Sequence, residues 1–237
     1  MMTQNNGPGF GMVSIILAGH FEQKIMEKET IICDASVEAF VEALASKSAT
    51  PGGGSVTAIM GAMGAALVSM VCNLTIGKKN YESVGEEMQD LLQRSHRLQQ
   101  RFLDLVRADV EAFDAVMACY GLPKESDEDK LKRSEAIQVA LKDATRVPLE
   151  CAAACVEVVE LAEIAAHKGN RNVLSDAGVA VAAAKAALDS ARLNVEVNLG
   201  AIRDGMFVAE SRTQLEKMTF GTADKVAHIY RQVLEGL

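Results

Sequence analysis

Residues Val56 to Ile76 contain no charged side chain and are built mainly from Ala, Gly, Met, Val, Ser and Thr. An uncharged run of that length has to be taken out of water, and its small residues let neighbouring backbones approach on several sides. Punctuation flanks it at both ends. Before it stands Thr50-Pro51-Gly52-Gly53-Gly54-Ser55, where a proline and three glycines end any preceding helix and leave bare backbone open to close approach. Ser55 can then cap the helix that follows. After it stands Gly77-Lys78-Lys79-Asn80-Tyr81, whose lysines suit the negative end of a helix dipole. The sequence therefore predicts a buried central helix, entered through a glycine turn and left through a basic patch. The run is long enough to cross a bilayer. Thr57, Ser69, Asn73 and Thr75, with the scarcity of Leu and Ile, argue against insertion, and no membrane is expected.

The remaining chain reads as helix. With 237 residues and 49% hydrophobic content it can fill one core, and its apolar bulk is Ala, Val, Leu and Met, with aromatics at only 4% and four prolines. Val37, Phe40, Val41 and Leu44 repeat at helical spacing after Asp34-Ala35-Ser36, so Asp34 or Ser36 is the expected cap. A long stripe follows from about Val84 to Tyr120: Met88, Leu91, Leu92, Leu98, Phe102, Leu105, Val106, Ala112, Phe113, Val116 and Tyr120. Gly121-Leu122-Pro123 stops it. Ser126-Asp127-Glu128-Asp129 opens the next helix, in which Pro148 is expected to make a kink or break. Gly169-Asn170 ends that helix, Ser175 and Asp176 cap another to Leu199, and Gly221 interrupts the last segment. The expected fold is all-α, a single-domain antiparallel helical bundle and a dimer. Residues 1–33 read as a partly disordered N-terminal extension, with a possible short strand or arm near Met12–Ile32, and residues 34–237 as the helical domain.

The net charge of −8 and the lack of a basic stripe exclude a nucleic-acid partner from the expectations. Local lysines can still serve an anionic small molecule. Five cysteines, an odd number with no CxxC pair, fit a reducing cytoplasm. Cys151 and Cys155 lie one helical turn apart, but two small buried side chains explain them better than a metal, and no metal is expected. The four histidines form no ligand or nucleophile spacing.

Asp109 is the anomaly. It follows Phe102 by seven residues and Leu105 by four, and precedes Phe113 by four, so a carboxylate projects from an apolar face. An ionised group there is costly unless paired. It is either a structural ion pair, a carboxylate at the bundle's rim, or a cleft carboxylate with a raised pKa, suited to proton transfer. Asn194 and Asn198 lie one turn apart on an otherwise apolar helix and suit either a heterocycle or an interhelical contact. The glycine turn lacks the residues of a nucleotide loop.

Taken in order, these pieces resemble the cyclodeaminase half of formiminotransferase-cyclodeaminase and its free-standing bacterial relatives, which include methenyltetrahydrofolate cyclohydrolases. The residues that carry the resemblance are Thr50 to Val56, Gly61 to Leu67, Gly77 to Tyr81, Asp109-Val110-Glu111-Ala112-Phe113, Leu122-Pro123, Val147-Pro148-Leu149, Gly169-Asn170, Ser175-Asp176 and Asn194 to Leu199. The resemblance implies an all-helical homodimer with a folate site in a cleft close to the dimer contact, and Asp109 as the catalytic acid/base. On that footing Pro51, Gly52, Gly53, Gly54 and Ser55 leave room for a flat ring, Lys78, Lys79 and Tyr81 lie where the anionic tail leaves, and Asp176, Asn194 and Asn198 meet the pterin or nearby atoms. It further implies a tetrahydrofolate derivative as substrate, with no permanently bound cofactor. The expected activity is methenyltetrahydrofolate cyclohydrolase. The alternatives are formimidoyltetrahydrofolate cyclodeaminase and, third, a non-catalytic folate-binding helical dimer. Two departures stand out: a formiminotransferase domain is absent, and residues 1–33 have no counterpart in the family pattern.

Overall fold

The computed structural model describes residues 35–237, and every regular element among them is helical. The expectations for residues 1–33, and for Asp34 as a cap, lie outside the described residues. Contacts divide the chain into two compact units, one ending at Ser48 and one comprising Ala49–Leu237. In the first, α1 spans Val37–Leu44, with Ser36 Oγ accepting from the Ala39 N–H at 3.1 Å, and ends three residues earlier than the sequence predicts.

The second unit is built from α2 (Gly53–Asn73), α3 (Gly85–Tyr120), α4 (Asp127–Lys168), α5 (Leu174–Leu199), α6 (Gly205–Thr219) and α7 (Thr222–Gly236). Short 3-10 turns precede α3 (Glu82–Val84) and α5 (Arg171–Val173). Ser126 and Asp129 form a reciprocal capping box at the start of α4. Pro148 does not end that helix, which runs through it for 42 residues. What proline removes is one donor: the Ala144 carbonyl loses its usual helical partner. At the start of α5 the sequence reading needs correction too. The cap position is Val173, and Ser175 and Asp176 sit inside the first turn. Gly221 is left-handed (φ 73°) and separates α6 from α7 as expected.

The small residues of α2 set how closely its neighbours approach. Gly61 meets the ring of Phe102 from α3, and a methyl group added there would be driven into that ring. Gly64 faces α5 and α4, where an added Cβ would lie 3.1 Å from the Ala180 carbonyl oxygen and 3.3 Å from Val158. Ala180, Ala184, Ala187 and Ala191 of α5 are fully buried, as are Ala152, Ala154 and Ala162 of α4. The polar residues of the run find partners inside. Ser69 Oγ and Ser95 Oγ of α3 are 2.7 Å apart, and Thr75 donates to the Val71 carbonyl at 2.6 Å. Gly61→Ala should destabilise the protein by about 1–3 kcal/mol, because Phe102 has no exposed side to move into. Chemical denaturation is the check, and turnover per folded molecule should be retained.

α2 is not buried all round. Met63 is 54% exposed and Met70 43%, and with Val56, Ile59, Met60, Ala66 and Leu67 they form an apolar stripe along the face turned away from α4. α2 is long and apolar enough to cross a membrane, and about half of that window (56%) is buried against other helices. Hydrophobicity on every side of a helix tells the reader that all faces leave water, but not which other chain or segment covers each one. Cys151 and Cys155 are buried side by side on α4. The Cys155 thiol is pushed far above its ordinary range, first by its hydrogen bond with Cys151 and then by burial.

Candidate functional site

Helix α2 begins two residues before Ser55, with Gly52 as an extended cap that makes no side-chain bond. Ser55 is therefore not the cap. Its side chain, fully buried, turns to α3 instead, where Ser55 Oγ–H donates to Asp109 Oδ2 at 3.0 Å. The backbone N–H of Ser55 also favours the ionised form of that carboxylate. Gly54 makes the approach possible: a Cβ at Gly54 would fall inside the Asp109 carboxylate. The triple glycine thus does one thing that no other residue could do at that position. It lets a helix start lie directly against a carboxylate on the next helix.

Asp109 sits among apolar neighbours, and burial raises its carboxyl above the ordinary aspartate value, with the two Ser55 hydrogen bonds opposing the rise. It lines a cavity of about 380 Å³, of the size that small-molecule sites occupy. Gly52, Gly53 and Gly54 form one wall, Phe113, Val116, Met117 and Tyr120 of α3 another, and Leu141, Ala144 and Pro148 of α4 a third. Asn194, Val197 and Asn198 of α5 close it. The Asn194 amide donates to Thr57 Oγ1 at 3.2 Å, and Thr57 in turn donates to the Gly53 carbonyl at 2.7 Å. One of the two N–H donors of Asn194 thus holds the glycine turn, and its carbonyl oxygen remains near Gly53 as an acceptor. Asp109 is the only carboxylate in this lining, and no Lys, Arg or His contributes to it among the described residues. The arrangement offers one protonatable carboxylate, flat apolar walls and amide acceptors: a site for a polarised ring system whose reaction needs a proton moved.

The structure gathers only part of the expected set here. Gly52, Gly53, Gly54, Asp109, Asn194 and Asn198 meet in the cavity. Pro51 is buried just outside its lining, joined to Thr50 by a cis peptide bond, and Ser55 lies behind Asp109. Lys78, Lys79, Tyr81 and Asp176 are elsewhere. A helix rises about 1.5 Å per residue, so the 21 residues of α2 put Lys78 and Lys79 about 30 Å from the glycine turn. Asp176 lies on the first turn of α5, about 27 Å from Asn194 by the same rise. At that far end the Tyr81 hydroxyl accepts from the Arg171 N–H at 3.0 Å, and Asn170 donates to the Leu74 carbonyl at 2.8 Å. Lys78 and Lys79 are exposed, and no carboxylate pairs with either among the described residues. Sequence reasoning missed Met117, Leu141, Ala144, Val197 and Thr57. Met117 and Val197 carried a readable signal, two turns beyond Asp109 and one residue before Asn198.

Residues 36–217 match the formiminotransferase-cyclodeaminase family. The chain is 52% identical over 198 residues to a methenyltetrahydrofolate cyclohydrolase of Methylorubrum extorquens, covering 84% of this chain and 95% of that protein. It is 35% identical over 190 residues to the formimidoyltransferase-cyclodeaminase of Rattus norvegicus, covering 80% of this chain and 35% of that longer protein. The crystal structure of formiminotetrahydrofolate cyclodeaminase from Thermotoga maritima superposes with a TM-score of 0.73 at 32% identity, covering 85% of this chain and 95% of that one. With the Asp109 cavity assembled from the residues that carry the family pattern, the chain belongs to the formiminotransferase-cyclodeaminase family.

Proposed function

We propose that the protein is a methenyltetrahydrofolate cyclohydrolase, converting 5,10-methenyl-tetrahydrofolate and water to 10-formyl-tetrahydrofolate. The observation that carries this reading is the lone cavity carboxylate, Asp109, held by Ser55 over bare backbone. A relative of nearly the same length and 52% identity bears the cyclohydrolase name, which supports it. The bridging carbon of the substrate is a cation shared between N5 and N10, so it is already electrophilic. Water attacks it while Asp109 takes a proton from that water. The tetrahedral carbon then releases N5 as Asp109 returns the proton to it, the hydroxyl on that carbon loses its own proton to solvent as the C=O forms, and the formyl group stays on N10, so one proton is released per turnover. An anionic carboxylate also favours the cationic substrate in a site from which the walls exclude most water. General acid–base assistance of this kind is worth about 10²- to 10⁴-fold.

The second reading is cyclodeamination, in which N10 of 5-formimino-tetrahydrofolate attacks the formimino carbon and ammonia leaves. The fold shared with the Thermotoga maritima cyclodeaminase supports it, and Asp109 would move the proton in the same way. Absorbance of the methenyl cation separates the two: hydrolysis consumes the band, and deamination of the formimino substrate creates it. Loss of the band on adding enzyme is expected. Protein inert in both directions would leave only a folate-binding helical dimer. We further propose an antiparallel bundle that works as a homodimer in the cytoplasm and holds no permanent cofactor. The exposed α2 stripe, which is apolar over its whole length, supports the dimer.

A further inference from the structure

Among the described residues Lys78 and Lys79, beyond the far end of α2, pair with no carboxylate, and the cavity that would take a folate is lined by no cation. The geometry points to a site completed in trans: a second copy of this chain packs on the α2 stripe with its α2 running the opposite way, so that its Lys78 and Lys79 reach the mouth of the first copy's Asp109 cavity and bind the carboxylates of the substrate's tail. This rests on the folate reading above.

Three observations carry it. The first is the surface. The exposed face of α2 is apolar from Val56 to Met70. At 100° per residue, Val179, Ala186, Leu193 and Val197 of α5 share one side of that helix, next to the side on which Ala180 meets Gly64 and Asn194 meets Thr57 of α2. Val179, Leu193 and Val197 are 55%, 68% and 73% exposed. Among the described residues the two stripes form one apolar face that no other helix covers, of the extent that marks an interaction surface. The second is symmetry. An isologous pair has a two-fold axis, and the α2 stripe is centred near Met63. A two-fold there, perpendicular to the helix, places the second copy's residues beyond Asn73 roughly opposite the Thr50–Gly53 turn. The third is charge. With the helices parallel, Lys78 and Lys79 of both copies would meet each other. With the helices opposed they meet a cavity whose only charged lining residue is Asp109, and the helix dipoles also oppose. Val197, exposed at the cavity rim, lies where the two copies would touch.

The test uses two differently tagged full-length chains, one carrying Asp109→Asn and the other Lys78→Ala with Lys79→Ala. They are co-expressed and the mixed dimer is purified through both tags. The lysine variant alone should raise KM for a polyglutamylated substrate by about tenfold or more with little change in kcat. In a trans arrangement the mixed dimer holds one fully native site and one doubly defective site, so its kcat/KM should return to about half the wild-type value per dimer. A mixed dimer no more active than the mean of the two variant dimers would overturn the proposal, as would a lysine variant with unchanged KM. A second measurement needs no turnover. Lys78→Cys in one chain and Val197→Cys in the other are treated with a short bis-maleimide, with wild-type chains as the background for native cysteines. A cross-linked band specific to the mixed dimer is expected, and its absence would overturn the pairing. Cross-linking in a protein that leaves the methenyl band untouched would strike the reaction assignment and keep the pairing.

Discussion

Asp109→Asn is expected to lower turnover by at least about 10²-fold while raising the melting temperature at pH 7 by about 2–4 °C. The two effects have one cause. Burial makes the ionised carboxylate costly, and the Ser55 hydrogen bonds only partly offset that cost. The folded-state pKa is raised above the unfolded value, so the folded protein holds the proton more tightly. The stability contributed by Asp109 is then fully present below its unfolded pKa and is lost as pH rises through the folded pKa. Above that folded pKa the native protein carries the destabilised, ionised form. Asparagine has the same shape, keeps an acceptor for the Ser55 hydroxyl and removes the charge. The same raised pKa sets the pH profile of the wild type. Acting as a base, Asp109 must be ionised, so kcat/KM should fall on acidification with a midpoint above the usual aspartate range, and the variant should lack that limb. Thermal unfolding and a pH–rate series check both halves. An unchanged rate would remove Asp109 from the mechanism, and a lowered melting temperature would mean that its ionised form is a stabilising group.

Gly54→Ala should cost about as much activity as Asp109→Asn and less stability than Gly61→Ala. Alanine is favoured over glycine within a helix by about 1 kcal/mol, and Gly54 lies in the first turn of α2. Its new methyl group would occupy the space of the Asp109 carboxylate. The carboxylate can rotate away, because it borders a cavity, and in doing so it leaves Ser55. The expected result is turnover reduced by about 10²-fold or more, with unfolding free energy within about 1 kcal/mol of wild type. Gly61→Ala has the opposite balance, since the Phe102 ring it meets has nowhere to go. Full activity in Gly54→Ala would show that the contact between glycine turn and carboxylate is incidental to turnover.

The helices were legible because their signals are local. Ser126 and Asp129 announce a capping box, Gly221 a left-handed break, and the apolar spacing through Phe102 and Val106 the length of α3. Asp109 was legible because it violates that spacing. The role of Ser55 was not, because a serine after three glycines reads equally well as a cap. Only the start of α2 at Gly53 frees its hydroxyl for another helix. The α3 stripe misleads in a similar way. Phe102 is fully buried, while Phe113 and Tyr120, on the same face, are 36% and 44% exposed and line the cavity. Apolar periodicity marks a surface that avoids water and does not distinguish a core from an open wall. At Pro148 isolated propensity allows a kink or a break, and α4 runs through it without ending.

The seam joining α2, α4 and α5 is lined by Ala152, Ala162, Ala180, Ala184, Ala187 and Ala191 against Gly64 and Ala65. Alanine and glycine have no side-chain torsion to turn over, so this part of the interior has no repertoire of alternative rotamers. The cavity at the glycine-turn end of this seam is therefore bordered by helices whose spacing cannot adjust through rotamer changes between them. Whatever adjustment occurs must be a displacement of whole helices, felt along their full length. The glycine wall, formed by Gly52, Gly53 and Gly54, likewise has no rotamers to offer, which leaves the fit of a bound ring to the larger, movable side chains of the α3 wall: Phe113, Met117 and Tyr120.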